Sequence, residues 1–431
     1  MTQFQSYYRA LHFLAELQRQ PLVTFLNGKT LDPLVYIKRT QLLLDYVGNP
    51  ERELRYVHVA GTAGKGTVTA MLHDALIAAG GKVGSLVSPH VTTPIERFRI
   101  GNDLLSPDIF ASLVDELKPA IEKCTEFSGL GRPALVEVYV AIALLAFARA
   151  GCRWAIVEVG CGGRYDPTNV IPNHDIGVVT NIGVDHQRIL GSSYDSIARQ
   201  KIGIAKRGCT VITAEQNGHL VDLFGEHCEA VGAELLAIER GDDMNISLAR
   251  AVLEKLEINH PAIEPAMMAT KLPGRCEVMQ ENPLVILDGA HNPMKIDRLA
   301  QFLKESGYGP VHCVFAACAN KDARTMIRLL EPHVTRWYFT RFIAGRRAFQ
   351  PEALAAFATT PATIYADPHV ALATARVNAG ERGTIVIAGS FFLAGELRKE
   401  WISEEDILGG RSSFPLVTAP VVEREMIAEL A

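Results

Sequence analysis

Apolar and polar positions along the chain follow two alternating periods. From Tyr56 onward, short β-branched runs typical of buried strands alternate with longer segments whose apolar residues recur about every three to four positions, as in helices. The strands predicted in this first series cover residues 56–60, 82–87, 154–159, 176–181 and 210–213. Helices are predicted over residues 68–79, 107–122 and 135–150, and residues 1–50 also have a helical pattern. Strands that alternate with helices predict a parallel, doubly wound sheet.

A second alternating series begins near Lys271. Its strands are predicted at 284–287, 311–316, 336–339, 362–365 and 384–387. Its helices are predicted at 294–306, 323–330, 351–357 and 368–378. Between the two series, three prolines interrupt the pattern within residues 258–274. We therefore predict an N-terminal α/β domain over residues 1–265 and a smaller α/β domain over residues 266–431.

Composition and charge narrow the class of protein. The chain has 431 residues, of which 48% are hydrophobic and 21% charged, and this is typical of a globular protein with more than one core. A net charge of −5 argues against non-specific binding to nucleic acid, which requires a basic surface. The longest apolar run, residues 138–148, is too short to span a bilayer, and the N-terminus lacks the basic start of a signal peptide. We expect a cytoplasmic protein without a nucleic-acid or membrane partner.

The most informative segment is HVAGTAGKGT, residues 58–67, between the first predicted strand and its helix. A glycine-rich turn there presents backbone N–H groups at a helix N-terminus, where an anion is favoured. Lys65 adds a cation for phosphates, and the Thr67 hydroxyl is placed to bind Mg²⁺. The common phosphate loop would have glycine at Val59, and a solvated lysine on a plain turn is the alternative. The order of turn, cation and hydroxyl favours a nucleoside triphosphate.

Polar residues also follow other predicted strands of the first series. The segment EVGCGGRYDPTN carries Glu158 at the end of a strand and Asp166 further along the loop. Ligands of open α/β sheets bind at this edge, so Glu158 could reach a Mg²⁺ held by Thr67, although a role as a cap is equally compatible. His186, in TNIGVDH, and Lys201, in IARQKIGIAK, lie near the same predicted edge. A lone histidine is most often structural, and a lone lysine is most often solvated.

Two segments of the second domain have a comparable placement. LDGAHNP follows a predicted strand and places Asp288 and His291 at the strand end. LPGR places Arg275 near the predicted boundary, where a guanidinium could neutralise phosphate charge. Taken alone, these residues would be a helix-capping aspartate and a surface arginine.

Eight motifs of the chain are more specific in combination than any of them is alone. HVAGTAGKGT, SPHVTTPIERFRI, EVGCGGRYDPTNV, TNIGVDHQRILG, IARQKIGIAK, LPGR, LDGAHNP and AGSFFLAGELR occur in this order along the chain. Together they resemble the folylpolyglutamate synthase/dihydrofolate synthase family of Mur-type ligases. The resemblance implies a P-loop, parallel-sheet ATPase domain followed by a smaller, Rossmann-like Mur ligase C-terminal domain. It also implies an ATP-dependent amide ligase in which the acceptor carboxylate becomes an acyl phosphate and the amine of L-glutamate then attacks it.

The resemblance further implies which residues hold phosphate and metal. The phosphate-binding residues are expected to be Gly64, Lys65, Gly66 and Thr67. The ligands of a first Mg²⁺ are expected to be Thr67, Ser88 and Glu158. A second Mg²⁺ is expected on His186 and a carbamylated Lys201, because carbamylation turns a cation into the anionic oxygen ligand that Mg²⁺ prefers. The expected catalytic residues are Lys65, Glu158, His186 and Lys201.

Other residues are assigned to the small-molecule substrates: ATP, L-glutamate and a folate or other carboxylate. The residues expected to contact ATP outside the phosphate turn are Asn245, Arg275, Asp288 and His291. Those assigned to the acceptor are Glu137, Tyr165 and Asp166. The enzyme is expected to be a monomer.

One departure from the family pattern concerns the acceptor. Val136 stands where the family has an aromatic residue that would stack on a pterin ring. Tyr139 and Tyr165 are candidate substitutes for that aromatic residue. Residues 236–245 are also short compared with the family. Two alternatives therefore stay open: a Mur-type ligase with a non-folate carboxylate acceptor, and a nucleotide-binding protein without catalysis.

Overall fold

The computed structural model describes residues 3–18, 32–343 and 347–416, which form two compact units. The first unit comprises Met1–Pro89 and Ile95–Thr270, and the second comprises His90–Pro94 and Lys271–Ala431. The chain thus passes to the second unit at Lys271, within the proline-interrupted segment. It also enters that unit earlier, over His90–Pro94, which we call the crossing segment. No helix of the described residues is long and apolar enough to span a membrane.

The first unit is built on one twisted sheet. In the described residues its strands are β1 (Arg55–Ala60), β2 (Val83–Leu86), β3 (Phe98–Ile100), β4 (Asp103–Leu104), β5 (Trp154–Glu158), β6 (Ile176–Val179), β7 (Thr210–Thr213) and β8 (Glu234–Ala237). Their order in the sheet is β4-β3-β2-β5-β1-β6-β7-β8. All neighbouring strands pair in parallel except β2 with β3 and β3 with β4, which are antiparallel. The predicted parallel sheet is confirmed.

Helices cover this sheet. They are α1 (Gln5–Gln18), α2 (Val35–Tyr46), α3 (Lys65–Ala78), α4 (Pro107–Phe127), α5 (Leu135–Arg149), α6 (Gln187–Leu190), α7 (Tyr194–Ile202), α8 (Gly218–Val231), α9 (Met244–Lys255) and α10 (Ile263–Met268). Successive residues of β1 point to opposite faces, so Val57 and Val59 pack with α3 and α9 in one core cluster. The apolar run in α5 is buried around nearly the whole helix.

The second unit has a smaller sheet, which is also mostly parallel. Its strands are β9 (Glu277–Glu281), β10 (Leu284–Leu287), β11 (Val311–Phe315), β12 (Val334–Phe339), β13 (Ala362–Ile364) and β14 (Thr384–Ala388). Their order is β13-β12-β11-β14-β10-β9, and among the residues that the structure describes only β9 pairs antiparallel with its neighbour. Its helices are α11 (Pro293–Ser306), α12 (Ala323–Leu330), α13 (Pro351–Ala355), α14 (Pro368–Ala379), α15 (Phe391–Arg398) and α16 (Glu404–Gly410). The second predicted α/β unit is confirmed as well.

Several elements were not predicted from the pattern. They are β3, β4, β8, β9, α6, α7, α8, α9, α10, α15 and α16. Most of these are short, and the antiparallel strands lie at sheet edges, where fewer side chains are buried and the two-residue period is weak. β9, for example, has the mixed sequence EVMQE, of which only Glu277 is buried.

Candidate functional site

The glycine-rich turn between β1 and α3 leaves no room for side chains at two positions. A Cβ atom at Gly61 would lie 1.8 Å from the Thr180 Oγ1 atom. Gly64 is the residue before α3, with a φ of +84°, and a Cβ atom there would lie 2.3 Å from the Asn245 Oδ1 atom. Only glycine fits such close approach and, at Gly64, the left-handed backbone. The turn therefore runs directly against two neighbouring elements and begins a helix at Lys65.

Asn245 itself is a candidate ligand-binding group. It lies in the first turn of α9, two residues after Asp243, whose carboxylate caps the helix. Its side chain is buried, and neither its Oδ1 nor its Nδ2 atom has a hydrogen-bond partner among the described residues. Buried polar groups are normally paired, so an unpaired amide beside a phosphate-type turn fits a bound nucleotide.

Residues from the end of β6 hold the turn in place. The Thr62 N–H donates to the backbone carbonyl of Asn181 at 3.0 Å, and the Ala63 N–H donates to the Asn181 Oδ1 atom at 3.0 Å. The Thr180 hydroxyl donates to the Ala63 carbonyl at 2.6 Å. Sequence reasoning missed Thr180 and Asn181, since it selected only His186 from the segment TNIGVDH. The available signal was a polar pair directly after an apolar strand, at the sheet edge where ligands bind.

Two lysines meet at one backbone carbonyl of the turn. The Gly61 oxygen accepts hydrogen bonds from Lys65 Nζ at 3.2 Å and from Lys201 Nζ at 2.8 Å. Lys201 is only 5% exposed. Burial, and then the positive charge of Lys65, lower the pKa of Lys201 to about 7. A large part of the Lys201 amine is therefore neutral near physiological pH, which is unusual for a lysine.

Glu158 lies beside the same turn at the end of β5. Its Oε2 atom accepts a hydrogen bond from the Ser88 backbone N–H at 2.8 Å, and its Oε1 atom is 3.9 Å from Lys65 Nζ. A Cβ atom at Gly66 would lie 3.3 Å from Oε2. The structure thus brings together Glu158, Ser88, Lys65 and the first turn of α3, which also contains Thr67.

These oxygen donors fit a magnesium ion that shares its ligands with phosphate. Hard divalent cations prefer carboxylate and hydroxyl oxygens, and Mg²⁺ is usually bound by one or two carboxylates, water and substrate phosphates. Across residues 3–18, 32–343 and 347–416, no group of three or more His, Cys, Asp and Glu side chains could hold a metal ion by itself. The protein would therefore supply part of the coordination shell, with Glu158 as its anionic member.

His186 lies in the loop that follows β6. It precedes α6 with a left-handed backbone, at a φ of +52°. Its N–H donates to the Asp185 Oδ1 atom at 2.8 Å, and its imidazole is partly exposed. The negative charge of Asp185 also acts on Lys201, which links this loop to the buried amine. Joint binding of a second metal by His186 and Lys201 stays a prediction.

Asp166 organises the loop that follows Glu158. Its carboxylate accepts hydrogen bonds from the Cys161 N–H at 2.8 Å, the Thr168 N–H at 3.0 Å and the Thr168 hydroxyl at 2.6 Å. Burial raises the pKa of Asp166, and these donors oppose that shift. Protein groups already occupy both carboxylate oxygens, whereas neighbouring Tyr165 is partly exposed. The assignment of Asp166 and Tyr165 to the acceptor stays a prediction.

Glu137 is also occupied by protein donors. It is fully buried in the first turn of α5, where it accepts a hydrogen bond from the Ala134 N–H at 2.7 Å. Arg39 Nη2 lies 2.6 Å from its Oε1 atom. Burial raises the pKa of Glu137 to about 7, although Arg39 opposes this shift. This geometry explains Glu137 as an ion-paired helix cap, and its contact with an acceptor stays a prediction.

The candidate stacking residues near Glu137 differ in accessibility. Val136 is 47% exposed, so the position expected to carry an aromatic residue does face solvent. Tyr139 is 4% exposed and packs edge-on against Phe98, with the Arg97 guanidinium 5.0 Å from its ring. The suggestion that Tyr139 replaces the missing aromatic residue is wrong, because the core encloses its ring.

In the second unit, Asp288 joins two loops. Its Oδ2 atom accepts a hydrogen bond from the Cys276 N–H at 2.9 Å, and its Oδ1 atom accepts one from the Ala290 N–H at 2.7 Å. The cap of α11 is Asn292, whose side chain accepts a hydrogen bond from the Lys295 N–H. The helix-capping alternative for Asp288 is therefore wrong.

Arg275 and His291 both contact the aromatic ring of Phe391. The Arg275 guanidinium is 4.5 Å from the centre of the Phe391 ring, and the His291 ring is 5.5 Å from it. The His291 Nδ1 atom is 2.9 Å from the Gly289 carbonyl oxygen, which fixes the direction of the imidazole. The structure brings these two residues together within the second unit, and their contact with ATP stays a prediction.

Comparison with known proteins adds independent information. Residues 274–391 match the family model described as Mur ligase, glutamate ligase domain. The chain is 29% identical over 404 residues to the dihydrofolate synthase/folylpolyglutamate synthase of Bacillus subtilis, covering 84% of this chain and 94% of that protein. It is 30% identical over 351 residues to the enzyme of the same description from Mycobacterium tuberculosis, covering 69% of this chain and 72% of that protein.

Solved structures are similar over most of the chain. Mycobacterium tuberculosis folylpolyglutamate synthase complexed with ADP aligns with a TM-score of 0.83 and 27% identity, over 91% of this chain and 98% of that one. The bifunctional folylpolyglutamate synthase/dihydrofolate synthase from Yersinia pestis, complexed with AMPPNP and Mn ion, aligns with a TM-score of 0.77 and 27% identity. That alignment covers 92% of this chain and 98% of the other.

Proposed function

This chain belongs to the dihydrofolate synthase/folylpolyglutamate synthase family, and on that premise we propose that it is an ATP-dependent ligase that joins L-glutamate to a folate-type carboxylate. The product is an amide, and ADP and phosphate are released. We further propose that the enzyme acts as a monomer in the cytoplasm and does not bind nucleic acid. A boundary between functional domains near residue 265 belongs to the same proposal.

The observation that carries the proposal is the pair of lysines on the Gly61 carbonyl, beside Glu158. A protein that only binds nucleotide needs one lysine at its phosphate turn. A second, buried lysine with a pKa near 7 costs stability, because burial disfavours its charge. Such perturbed groups cluster at catalytic sites, which supports a ligase over a passive binder.

ATP and Mg²⁺ fit the residues around the turn. We assign the phosphates to Gly64, Lys65, Gly66 and Thr67, and the first metal to Thr67, Ser88 and Glu158. When bound, Mg²⁺ would neutralise phosphate charge and so assist transfer of the γ-phosphoryl group. We assign Asn245 to the nucleotide because its buried amide has no other partner among the described residues. Arg275, Asp288 and His291 are assigned to ATP from the second unit.

We propose that Lys201 is carbamylated and that its carbamate, with His186, holds the second metal. The neutral Nζ atom attacks carbon dioxide, a C–N bond forms as one C–O π bond breaks, and the nitrogen releases a proton. The resulting anion is favoured by the nearby charge of Lys65. A buried cation is thereby replaced by an oxygen ligand.

The bond changes at the acceptor follow from this arrangement. An acceptor carboxylate oxygen forms a bond to the γ-phosphorus as the bond to the ADP oxygen breaks. The amine of glutamate then attacks the acyl carbon, phosphate leaves, and a proton is lost from the nitrogen. Lys65 would stabilise the negative charge transferred in the first step, since positioned cations act strongly in sites shielded from water.

Phosphate release from Mg·ATP and L-glutamate tests the proposal. Dihydropteroate, tetrahydrofolate and no acceptor are compared, and products are weighed by mass spectrometry. Release that requires a pteridine, with a product heavier by one glutamyl unit, is the expected result. If protein that binds Mg·ATP releases no phosphate with either pteridine, folate is refuted as the acceptor.

A non-folate carboxylate is the second candidate, and the exposed Val136 favours it. Without an aromatic ring at this position, stacking on a pterin loses about 0.5–1.5 kcal/mol beyond its area term. The variant Val136→Phe distinguishes the two. If the acceptor is a folate, the variant lowers the KM for it, with Val136→Leu as a control for size alone. An unchanged or higher KM in Val136→Phe favours the non-folate acceptor.

A further inference from the structure

The crossing segment, His90–Pro94, is built into the core of the second unit. Val91 is buried in the same apolar cluster as Leu393 and Leu397 of α15. A Cβ atom at Gly395 would lie 2.0 Å from the Val91 carbonyl oxygen, so the backbone of the segment lies directly on the helix. A Cβ atom at Gly274 would lie 3.1 Å from Val91 Cγ2. The crossing segment therefore packs closely where Gly274 and Gly395 have no side chain.

Arg398, the last residue of α15, anchors this segment. Its side chain is fully buried, and its Nη1 atom donates to the Thr92 hydroxyl at 3.0 Å. Its Nε and Nη2 atoms donate to Glu277 at 2.8–3.0 Å. Thr93 donates separately to Glu404 Oε1 at 2.6 Å. A buried, bidentate arginine is a rigid anchor, because its planar fork loses little freedom on binding.

The other end of this short stretch belongs to the candidate metal site. Two residues before His90, the Ser88 N–H donates to Glu158. Only Pro89, whose ring restricts its own backbone, lies between Ser88 and the crossing segment. The motif AGSFFLAGELR did not indicate a functional role for its last residue, Arg398. The contacts of Arg398 with the crossing segment indicate one.

We propose that Arg398 is a positioning residue for the ligase, acting through Thr92 and the crossing segment to hold Ser88 against Glu158. The docked segment sets the distance between the Ser88 hydroxyl and the Glu158 carboxylate, both of which are assigned to the first Mg²⁺. The inference depends on the proposed function only through the assignment of Ser88 and Glu158 to the first Mg²⁺. A change at Thr92 therefore alters metal affinity, although Thr92 belongs to the second unit.

The test uses Thr92, because an Arg398 variant would leave Glu277 buried without its partner and could fail to fold. Thr92→Val keeps the shape of the side chain and removes the acceptor for Arg398, whereas Thr92→Ser keeps the hydroxyl. Tyr338→Phe is the control for stability, since it removes a buried hydroxyl of the second unit that contacts His312 and Asn378. The readout is binding of ATP by calorimetry as Mg²⁺ is titrated, with thermal unfolding measured in parallel.

We expect Thr92→Val to raise the half-saturating Mg²⁺ concentration by up to about tenfold. This is the lower end of the loss that follows removal of a group in contact with a metal ligand, because Thr92 acts on Ser88 only through the backbone. Thr92→Ser and Tyr338→Phe should retain the wild-type Mg²⁺ dependence. An unchanged Mg²⁺ dependence in Thr92→Val overturns the inference, and so does an equal shift in Tyr338→Phe. Failure of the proposed function is seen separately, as wild-type protein that binds Mg·ATP but joins no glutamate to an acceptor.

Discussion

The neutral amine of Lys201 gives the sharpest prediction about the chemistry of this site. With a pKa of about 7, roughly three quarters of the Lys201 amines are neutral at pH 7.5. At the ordinary lysine value of 10.5, about one amine in a thousand would be neutral. Because only the neutral amine attacks carbon dioxide, burial and Lys65 raise the reactive fraction by nearly three orders of magnitude.

Lys206 offers a matched comparison within the same segment. Burial lowers its pKa to about 8, so it too has a neutral fraction at pH 7.5. Its Nζ atom, however, donates to the carbonyl oxygens of Asn169 and Ile171. A carbamate there would face two acceptors instead of a cation, and repulsion would disfavour it. Lys201 should therefore be carbamylated and Lys206 should not.

The assay is carbon-13 NMR of protein equilibrated with labelled bicarbonate. We expect one carbamate resonance, which is absent from Lys201→Met and retained in Lys206→Met. It should weaken as the pH falls through about 7, because the protonated amine cannot hold carbon dioxide. Lys201→Met should also bind Mg·ATP and release no phosphate. A resonance that survives in Lys201→Met, or ligase activity equal to that of the wild type, would refute the reasoning.

Two further predictions concern the turn and the buried histidines. Gly64→Ala should abolish measurable nucleotide binding by calorimetry, since the new methyl would meet the Asn245 amide. Gly80→Ala, with a similar φ of +81° and open space, should lose only about 1 kcal/mol of stability and bind normally; equal binding by both variants would contradict the steric argument. Burial, and then the charge of Lys206, lower the pKa of His174 to about 3. Between pH 3 and 6.5 the unfolded state therefore binds more protons than the folded state. The free energy of unfolding should fall as the pH drops below 6.5. Between pH 7 and 5, His174→Phe should lose about 2 kcal/mol less unfolding free energy than the wild type in denaturant titrations, and an identical loss would contradict the assignment.

The parallel cores of both units could be predicted because their strands are buried on both faces. Strands such as β7 and β10 consist of continuous apolar or β-branched residues and were predicted with their observed bounds. Edge strands such as β9 and β8 could not, because half-exposed residues carry little periodic signal. The crossing segment could not be predicted either, since its contacts with α15 are distant in the sequence.

Residues at strand ends could be selected from the sequence, but their partners could not. Lys65, Glu158 and Lys201 do lie around one turn, as the order of motifs indicated. The sequence carried no sign that Arg39 occupies the carboxylate of Glu137, nor that Asn181 holds the turn. Such contacts depend on which side chains meet across elements, which neither periodicity nor residue type specifies.

The crossing segment has a consequence for how the second unit can fold. Residues 274–391 are the stretch that matches a glutamate ligase domain, yet the hydrogen bond from Arg398 to Thr92 spans 306 positions of the chain. A fragment that begins at Lys271 would lack Val91 from its core and an acceptor for a buried guanidinium. During synthesis the crossing segment emerges long before α15, and it can dock only after that helix has been synthesised. The second unit therefore depends on the first half of the chain for its completion, and its slowest folding step should be this long-range closure.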